Sequence, residues 1–456
     1  MERREFMKSA GLLGAGMCLS APATQAQSQS TNWAGNVTFR PRTVATPNSF
    51  ENLQRIVREA TRVKIAGSRH SFNAIASPDD TWVNMSRLPS EIHLNSADRT
   101  AELPGWMTLQ EAGCKLNEKG FAFASLGEID EQTVAGATAT STHGSGLEWG
   151  TLSDNVRAVK LVTASGDLVE LRDGDALASV RTHLGALGAV ISMTMDVVPA
   201  HRLERHQRFL PLDEACDPSF MRSAAHAQIY YLPFANRAYV KTMNPTEKPS
   251  SGLTAKKLNE YFKENMILNA ALSAAALKPS VVPSLLKKMA GQFGDVTDIG
   301  PSGTMMVSRR VMRYHEMELA LDLKDVKAAL DEVRNAIHEL SERPRDPFFA
   351  NLPVSIRAVR GYENNFLSPT LGRDTAYISL VSHTAFRGYQ EYFKSVEERL
   401  TSRFGARPHW AKHFSADPLQ KYPHASRFLS QRRALDPQGK FVNPFLKRIF
   451  SSFEDG

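Results

Sequence analysis

Two short segments constrain this chain more than any other feature. Residues 66–72 read AGSRHSF and residues 133–146 read TVAGATATSTHGSG. Small residues let a backbone approach a ligand closely, and successive N–H groups form an anion-binding nest. Two such loops at strand ends could grip one anionic group from both sides. The hydroxyls of Ser68, Ser71, Thr140, Ser141, Thr142 and Ser145 would add neutral donors. No GxGxxG follows a strand pattern and no GxxxxGK[ST] occurs, so a dinucleotide here is not held in the Rossmann way. Gly11, Gly14 and Gly16 imitate a nucleotide fingerprint but follow no strand. By composition alone, a plain surface loop accounts equally well for both segments.

The surrounding pattern is mixed. Phe50–Ala60 has a helical apolar face, 62–66 and 81–85 are strand-like, and 158–164 with 168–171 flank the turn signal Ser165-Gly166-Asp167. Residues 185–198 read as a buried strand with a glycine-rich entry. Beyond Pro199, 314–321 alternates and 324–340 is an amphipathic helix. Residues 357–360 and 375–382 are strand-like, and 386–404 is a second amphipathic helix. That order predicts an antiparallel sheet covered on one face by helices, interrupted by a helical insertion at 250–300.

With 456 residues, 42% apolar and 23% charged, the chain is globular and large enough for two domains. Its three cysteines (18, 114 and 216) exclude a disulfide framework and a four-cysteine zinc site. Cys114 and Cys216 could form one bridge, which nothing in the sequence demands. The longest apolar run, Met266–Leu277, is too short for a membrane span. The charge of +7 is spread without a Lys/Arg block, which argues against nucleic-acid binding. His409 and His413 have the spacing of zinc ligands on a helix, but the HExxH glutamate and a third ligand are missing, so no metal is expected. At the N-terminus, Arg3-Arg4 precede Phe6, Lys8 and an apolar stretch, with small-residue cleavage sites after Ala23 or Ala26. Residues 1–26 therefore read as a twin-arginine signal, with an ordinary secretory signal as the alternative. This predicts periplasmic export, with the Tat translocon as a transient partner.

AGSRHSF, EQTVAGATATSTHGSG, ARPHWAK with LDPQGKFVNP, and the opening Asn32-Trp33-Ala34-Gly35-Asn36 occur along the mature chain. Together they resemble the vanillyl-alcohol oxidase/p-cresol methylhydroxylase flavoproteins, and within them the sugar-oxidising branch of aldonolactone and alditol oxidases. The resemblance implies an α+β fold of two domains. An FAD-binding domain would span 32–200, an antiparallel-sheet-plus-helices cap (substrate) domain 201–412, and a C-terminal return to the FAD domain 413–456. FAD would be bound by Ala66, Gly67, Ser68, Arg69, His70 and Ser71 in the first loop. Thr133, Thr138, Ser141, Ser145 and Gly146 in the second loop would join them, with Ile191 on a strand and His409 beside the ring. His70 corresponds to the histidine joined covalently to the flavin in that branch, and His143 to a loop histidine read as structural.

The branch also carries a Glu-x-Arg pair on a cap strand. Here the sequence reads Ser355-Ile356-Arg357, so the arginine is kept and the acid is replaced. Loss of one charged hydrogen bond is worth about 1.5–3 kcal/mol, which disfavours the alditol pocket. Arg357, Lys412 and Ser355 are the expected catalytic residues. Arg357 would be free to anchor an oxyanion, lactone carbonyl or carboxylate, and no residue stands out as a base. The implied activity is FAD-dependent oxidation of a CH–OH group of a sugar-derived, aldonolactone-like substrate. O2 would be the acceptor and H2O2 the product; the alternatives are a dehydrogenase using a periplasmic carrier, an alditol oxidase, and a flavin-holding protein that has lost catalysis.

Overall fold

The computed structural model describes residues 30–251, 266–290, 294–308, 312–415 and 417–454. The twin-arginine segment and part of the expected insertion lie outside these residues. Residues 30–200 build two larger sheets and two two-stranded ones. Thr43–Ala45, Thr81–Val83 and Val63–Ile65 form a parallel three-stranded sheet with Thr81–Val83 in the middle. Helix Phe50–Glu59 packs on it because Leu53 and Val57 share one face, and Ser49 caps it by accepting from Asn52 N at 3.1 Å. Leu168–Leu171, Val156–Val162, Ala189–Asp196, Thr100–Pro104 and His93–Asn95 form, in that order, an antiparallel five-stranded sheet. The predicted hairpin turn lies at its edge, where Gly166 takes φ +86°, a conformation few L-residues tolerate.

The third large sheet has eight antiparallel strands. Their order is Val296–Pro301, Arg202–Pro211, Arg237–Thr246, His226–Leu232, Val354–Val359, Thr375–His383, Tyr314–Asp322 and Arg407–Pro408. Period-2 alternation sends Met317, Leu319, Leu321, Ile356 and Ile378 into an apolar core beneath helices Val326–Ser341 and Tyr389–Phe404. The predicted sheet with helices on one face is therefore present. The expected irregular helical insertion at 250–300 includes a strand as well. Residues 266–275 and Val282–Met289 are helical, but Val296–Pro301 is an edge strand paired with Arg202–Pro211. Cys216 is a free, buried thiol, so it forms no bridge with Cys114.

The opposite face of the eight-stranded sheet carries Gln228, Tyr230, Ser355, Arg357, Tyr377, Ser379, Glu316 and Glu318. A polar face this complete is tolerable only if it abuts another polar surface or a ligand. It abuts the second glycine-bearing loop, where Gly146 N donates to Ala358 O at 2.8 Å. After the last strand the chain runs back to the first two sheets. Trp410, Tyr422, Phe428 and Leu446 join the core of the five-stranded sheet, and Phe441 joins Leu53 and Val83.

Candidate active site

A cleft opens between the polar sheet face and the two loops. Strand Val63–Ile65 ends in the first loop, where Arg69 is held at φ +62°. Trp33 N donates to Arg69 O (2.9 Å), Asn32 Nδ2 to Ser71 O (2.8 Å), and Phe72 N to Ala411 O (2.7 Å). The residues around the Asn32-Trp33 motif thus brace the loop from outside. Thr133 caps the short helix Val134–Ala139 by accepting from Gly136 N at 3.2 Å. The two loops meet directly: a Cβ on Gly67 would lie 2.3 Å from Thr133 Oγ1. Apposed glycine-bearing loops, continuous with a cleft that His70 lines, fit the pyrophosphate and ring of a flavin dinucleotide.

The expected cofactor residues fall into two groups. Gly67 and Thr133 form the loop junction and His70 lines the cleft; Ser68, Arg69 and Ser71 are half-buried in the same loop, and Ala66 is buried. Burial lowers the His70 pKa, partly opposed by Glu131, which favours the neutral, nucleophilic ring. His409 lines the cleft, and burial pushes its pKa down to about 3. Other positions turn inward. The Thr138 hydroxyl donates to Val134 O within its own helix, and Ser141 Oγ bonds Thr151 and Ser368 in a buried hydroxyl cluster. Ser145 offers its carbonyl to His226 Nδ1 at 2.6 Å. Ile191 O accepts from Gly105 N at 2.8 Å.

The chemistry centres on two ion pairs. Arg357 Nη2 lies 2.7 Å from Glu318 Oε1, and Lys412 Nζ lies 2.5 Å from Glu316 Oε2. Glu316 Oε1 also accepts from Ser379 Oγ at 2.6 Å. Burial would raise the Glu318 pKa, but Arg357 and His143 together hold it well below the ordinary carboxylate value. Burial works against the Arg357 charge too, yet Glu318 and, after it, Glu128 and Glu316 keep its pKa above the usual arginine value. Arg357, expected to anchor an oxyanion, lactone carbonyl or carboxylate, is already engaged through Nη2, while its buried Nε lacks a partner. Ser355 sits on the same sheet face with its hydroxyl buried and unpartnered, beside the cleft rather than lining it.

Sequence reading missed Glu316 and Glu318. The signal was available in Tyr314–Leu321, YHEMELAL, where two acids occupy alternate positions of a strand and Met317, Leu319 and Leu321 take the positions between and after them. His143 was read as structural, yet it lines the cleft, stacks on Tyr377 with ring centroids 3.5 Å apart, and sits 3.3 Å from Glu318 Oε1. His143, Glu318 and His409 place three potential ligand atoms within 4.8 Å of one another. Arg357 already holds the position that a cation would take on Glu318, so the trio fits a proton-handling site better than a metal centre.

Comparison with known proteins agrees with this geometry. A family model described as D-arabinono-1,4-lactone oxidase matches residues 193–449, more than half of the chain. The chain belongs to this family. A model described as an FAD binding domain matches residues 41–172, which include both glycine-bearing loops. The chain is 30% identical to the alditol oxidase of a Streptomyces species, covering 92% of this chain and 98% of that protein. It is 29% identical to L-gulono-1,4-lactone dehydrogenase of Mycobacterium tuberculosis, with the same coverage. L-gulonolactone oxidase of Scyliorhinus torazame is 26% identical over 92% of this chain and 98% of that protein. Among solved structures, cholesterol oxidase from B. sterolicum superposes with TM-score 0.75 at 17% identity, covering 95% of this chain and all of that one, a likeness of fold alone.

Proposed function

We propose that this protein is an FAD-dependent oxidoreductase that oxidises a CH–OH group of a neutral, sugar-derived substrate of the aldonolactone class. The observation that carries the reading is the paired charge arrangement, Glu318–Arg357 and Glu316–Lys412, facing the His70 loop across one cleft. The bound flavin supplies the two-electron acceptor for the hydride leaving carbon. The protein's residues orient the substrate. Glu316 and Glu318 accept hydrogen bonds from sugar hydroxyls, while Arg357 and Lys412 stabilise charge developing on the reacting oxygen. Because each cation is already paired, a neutral lactone suits the site better than a carboxylate. His70, neutral and at the cleft, is positioned for a covalent tether to the flavin. The relatives named for gulonolactone and arabinonolactone support a sugar-lactone substrate. The M. tuberculosis relative, named a dehydrogenase, favours a second reading in which a periplasmic carrier rather than O2 takes the electrons. Export to the periplasm through the Tat system, read from Arg3-Arg4 and the following segment, completes the proposal.

Acid precipitation of the purified protein tests the tether: a yellow pellet is expected, and a colourless pellet with yellow supernatant would reject it. Anaerobic mixing with aldonolactones, alditols and aldoses should bleach the flavin fastest with a lactone. No bleaching by any sugar-derived alcohol would remove the catalytic reading. Oxygen consumption against dye reduction separates oxidase from dehydrogenase.

A further inference from the structure

Oxidation of an alcohol to a carbonyl breaks a C–H and an O–H bond. The hydride carries two electrons to the flavin, and the hydroxyl proton must go elsewhere. The cleft offers several bases, and their hydrogen bonds rank them. Glu318 is bound to Arg357, and Glu316 is bound to both Lys412 and Ser379, so these carboxylates already hold partners in the resting site. His409 Nδ1 accepts from Ala411 N at 3.1 Å, so its proton resides on Nε2, and taking a second one would break that bond.

His143 differs. Its Nδ1 lies 3.0 Å from Gly144 O and its Nε2 lies 3.3 Å from Glu318 Oε1. Both neighbours are acceptors. A neutral imidazole carries one N–H, which Gly144 O can take, and leaves the buried Nε2 without a hydrogen-bond partner; an imidazolium keeps the Gly144 contact and places its charge 3.3 Å from the Glu318 carboxylate. The ring also stacks on Tyr377 at 3.5 Å, and an aromatic face attracts a cation. Charge balance points the same way. The four charged groups of the two ion pairs sum to zero, so if the hydroxyl proton left for solvent while the hydride stayed, the site would keep a negative charge that neither pair offsets.

Resting on the function proposed above, we infer that His143 takes the proton released by the substrate hydroxyl and holds it, as an imidazolium, between Gly144 O and Glu318. The new bond is Nε2–H, the O–H bond breaks, and the proton stays in the cleft until the electrons leave. The groups facing the ring are Glu318, Arg357 and Tyr377 from the cap sheet and His409 from the segment beyond it, with Lys412, Glu316, Glu128, Glu131 and His70 lining the same cleft. Burial lowers the His143 pKa, with Glu318 opposing it, so the resting ring is neutral as an acceptor must be.

The test is proton counting. Holoenzyme in weak buffer with a pH indicator is mixed anaerobically with the best lactone, and flavin bleaching and proton release are followed together. The wild type should bleach without releasing a proton. His143→Gln should bleach about 10²-fold more slowly and release close to one proton per flavin. A proton released by the wild type, or none by the variant, overturns the inference while leaving the proposed function intact. Absence of bleaching in the wild type removes the function and the inference with it. Nitrogen-15 NMR of the wild type, needing no variant, supplies a second measurement: on reduction, both His143 nitrogens should move to the protonated range, and an unchanged ring would refute the idea.

Discussion

Replacing Gly67 with alanine tests how the two loops depend on each other. Gly67 has no positive φ, so alanine costs nothing in backbone conformation and the effect is purely steric. The new Cβ would lie 2.3 Å from Thr133 Oγ1, 2.9 Å from its Cγ2 and 3.2 Å from its Cβ. Thr133 cannot simply rotate away, because Oγ1 caps the following helix through Gly136 N at 3.2 Å. Losing that cap costs about 1 kcal/mol, and overpacking adds about 1–3 kcal/mol, so Gly67→Ala should cost about 2–4 kcal/mol. Thr133→Ala alone should cost only the cap. In the double variant both close contacts disappear and only the 3.2 Å contact remains. The double variant should therefore recover most of the overpacking loss and lose the cap only once, giving a coupling of about 2–4 kcal/mol. Thermal unfolding and flavin content per protein, measured on all four proteins, give the cycle. Additive losses, or a Gly67→Ala protein that holds flavin like the wild type, would show that the loops do not bear on one another.

Glu318→Ala should lower stability by about 3–5 kcal/mol, because it leaves the buried Arg357 guanidinium uncompensated; an unchanged melting temperature would place Arg357 in solvent instead. Acid should destabilise the protein in a defined window. Burial depresses His409 to about 3 and His183 and His413 to about 4, against about 6.5 when unfolded, so their neutral forms give full stability above pH 6.5, lost as pH falls towards 4. At pH 5 each should cost on the order of 2 kcal/mol, and denaturant midpoints that hold steady from pH 7 to 5 would contradict this.

The sequence exposed the loops and elements well because each has a local cause. Gly166 marks its turn, the spacing of Val326, Leu330, Val333 and Ile337 marks a helix, and Gly67 and Thr133 mark the sites of close approach. The acids of the site were hidden for a non-local reason. Ser355, Ser379 and Glu318 stand in one cross-strand row, but they come from three strands whose pairing only the folded sheet reveals. With an acid absent at 355, reasoning along one strand left Arg357 without a partner; the partner arrives on a strand nearly forty residues earlier. The same limit applies to Val296–Pro301, whose strand character comes from pairing with Arg202–Pro211 rather than from its own composition.

Buried ion pairs are poor stabilisers, and that separates a functional explanation of the second pair from a structural one. Withdrawing Glu316 fully and Lys412 in part from water carries a desolvation cost before their attraction is counted, and replacing a buried pair with apolar side chains of similar size is often neutral or stabilising by about 1–4 kcal/mol. If Glu316 and Lys412 serve the substrate and not the fold, Glu316→Met with Lys412→Met should melt at or above the wild-type temperature while anaerobic bleaching by the lactone falls about 10²-fold or more. Lys412→Met alone should be worse than the pair in stability, because Glu316 would lose its cation and keep the Ser379 hydroxyl. Melting curves of the single and double variants, with circular dichroism to establish folding, decide the matter. A double variant less stable than the Lys412 single variant would mean that the pair holds the cap sheet against the C-terminal segment, and that its place in the cleft is a consequence of packing.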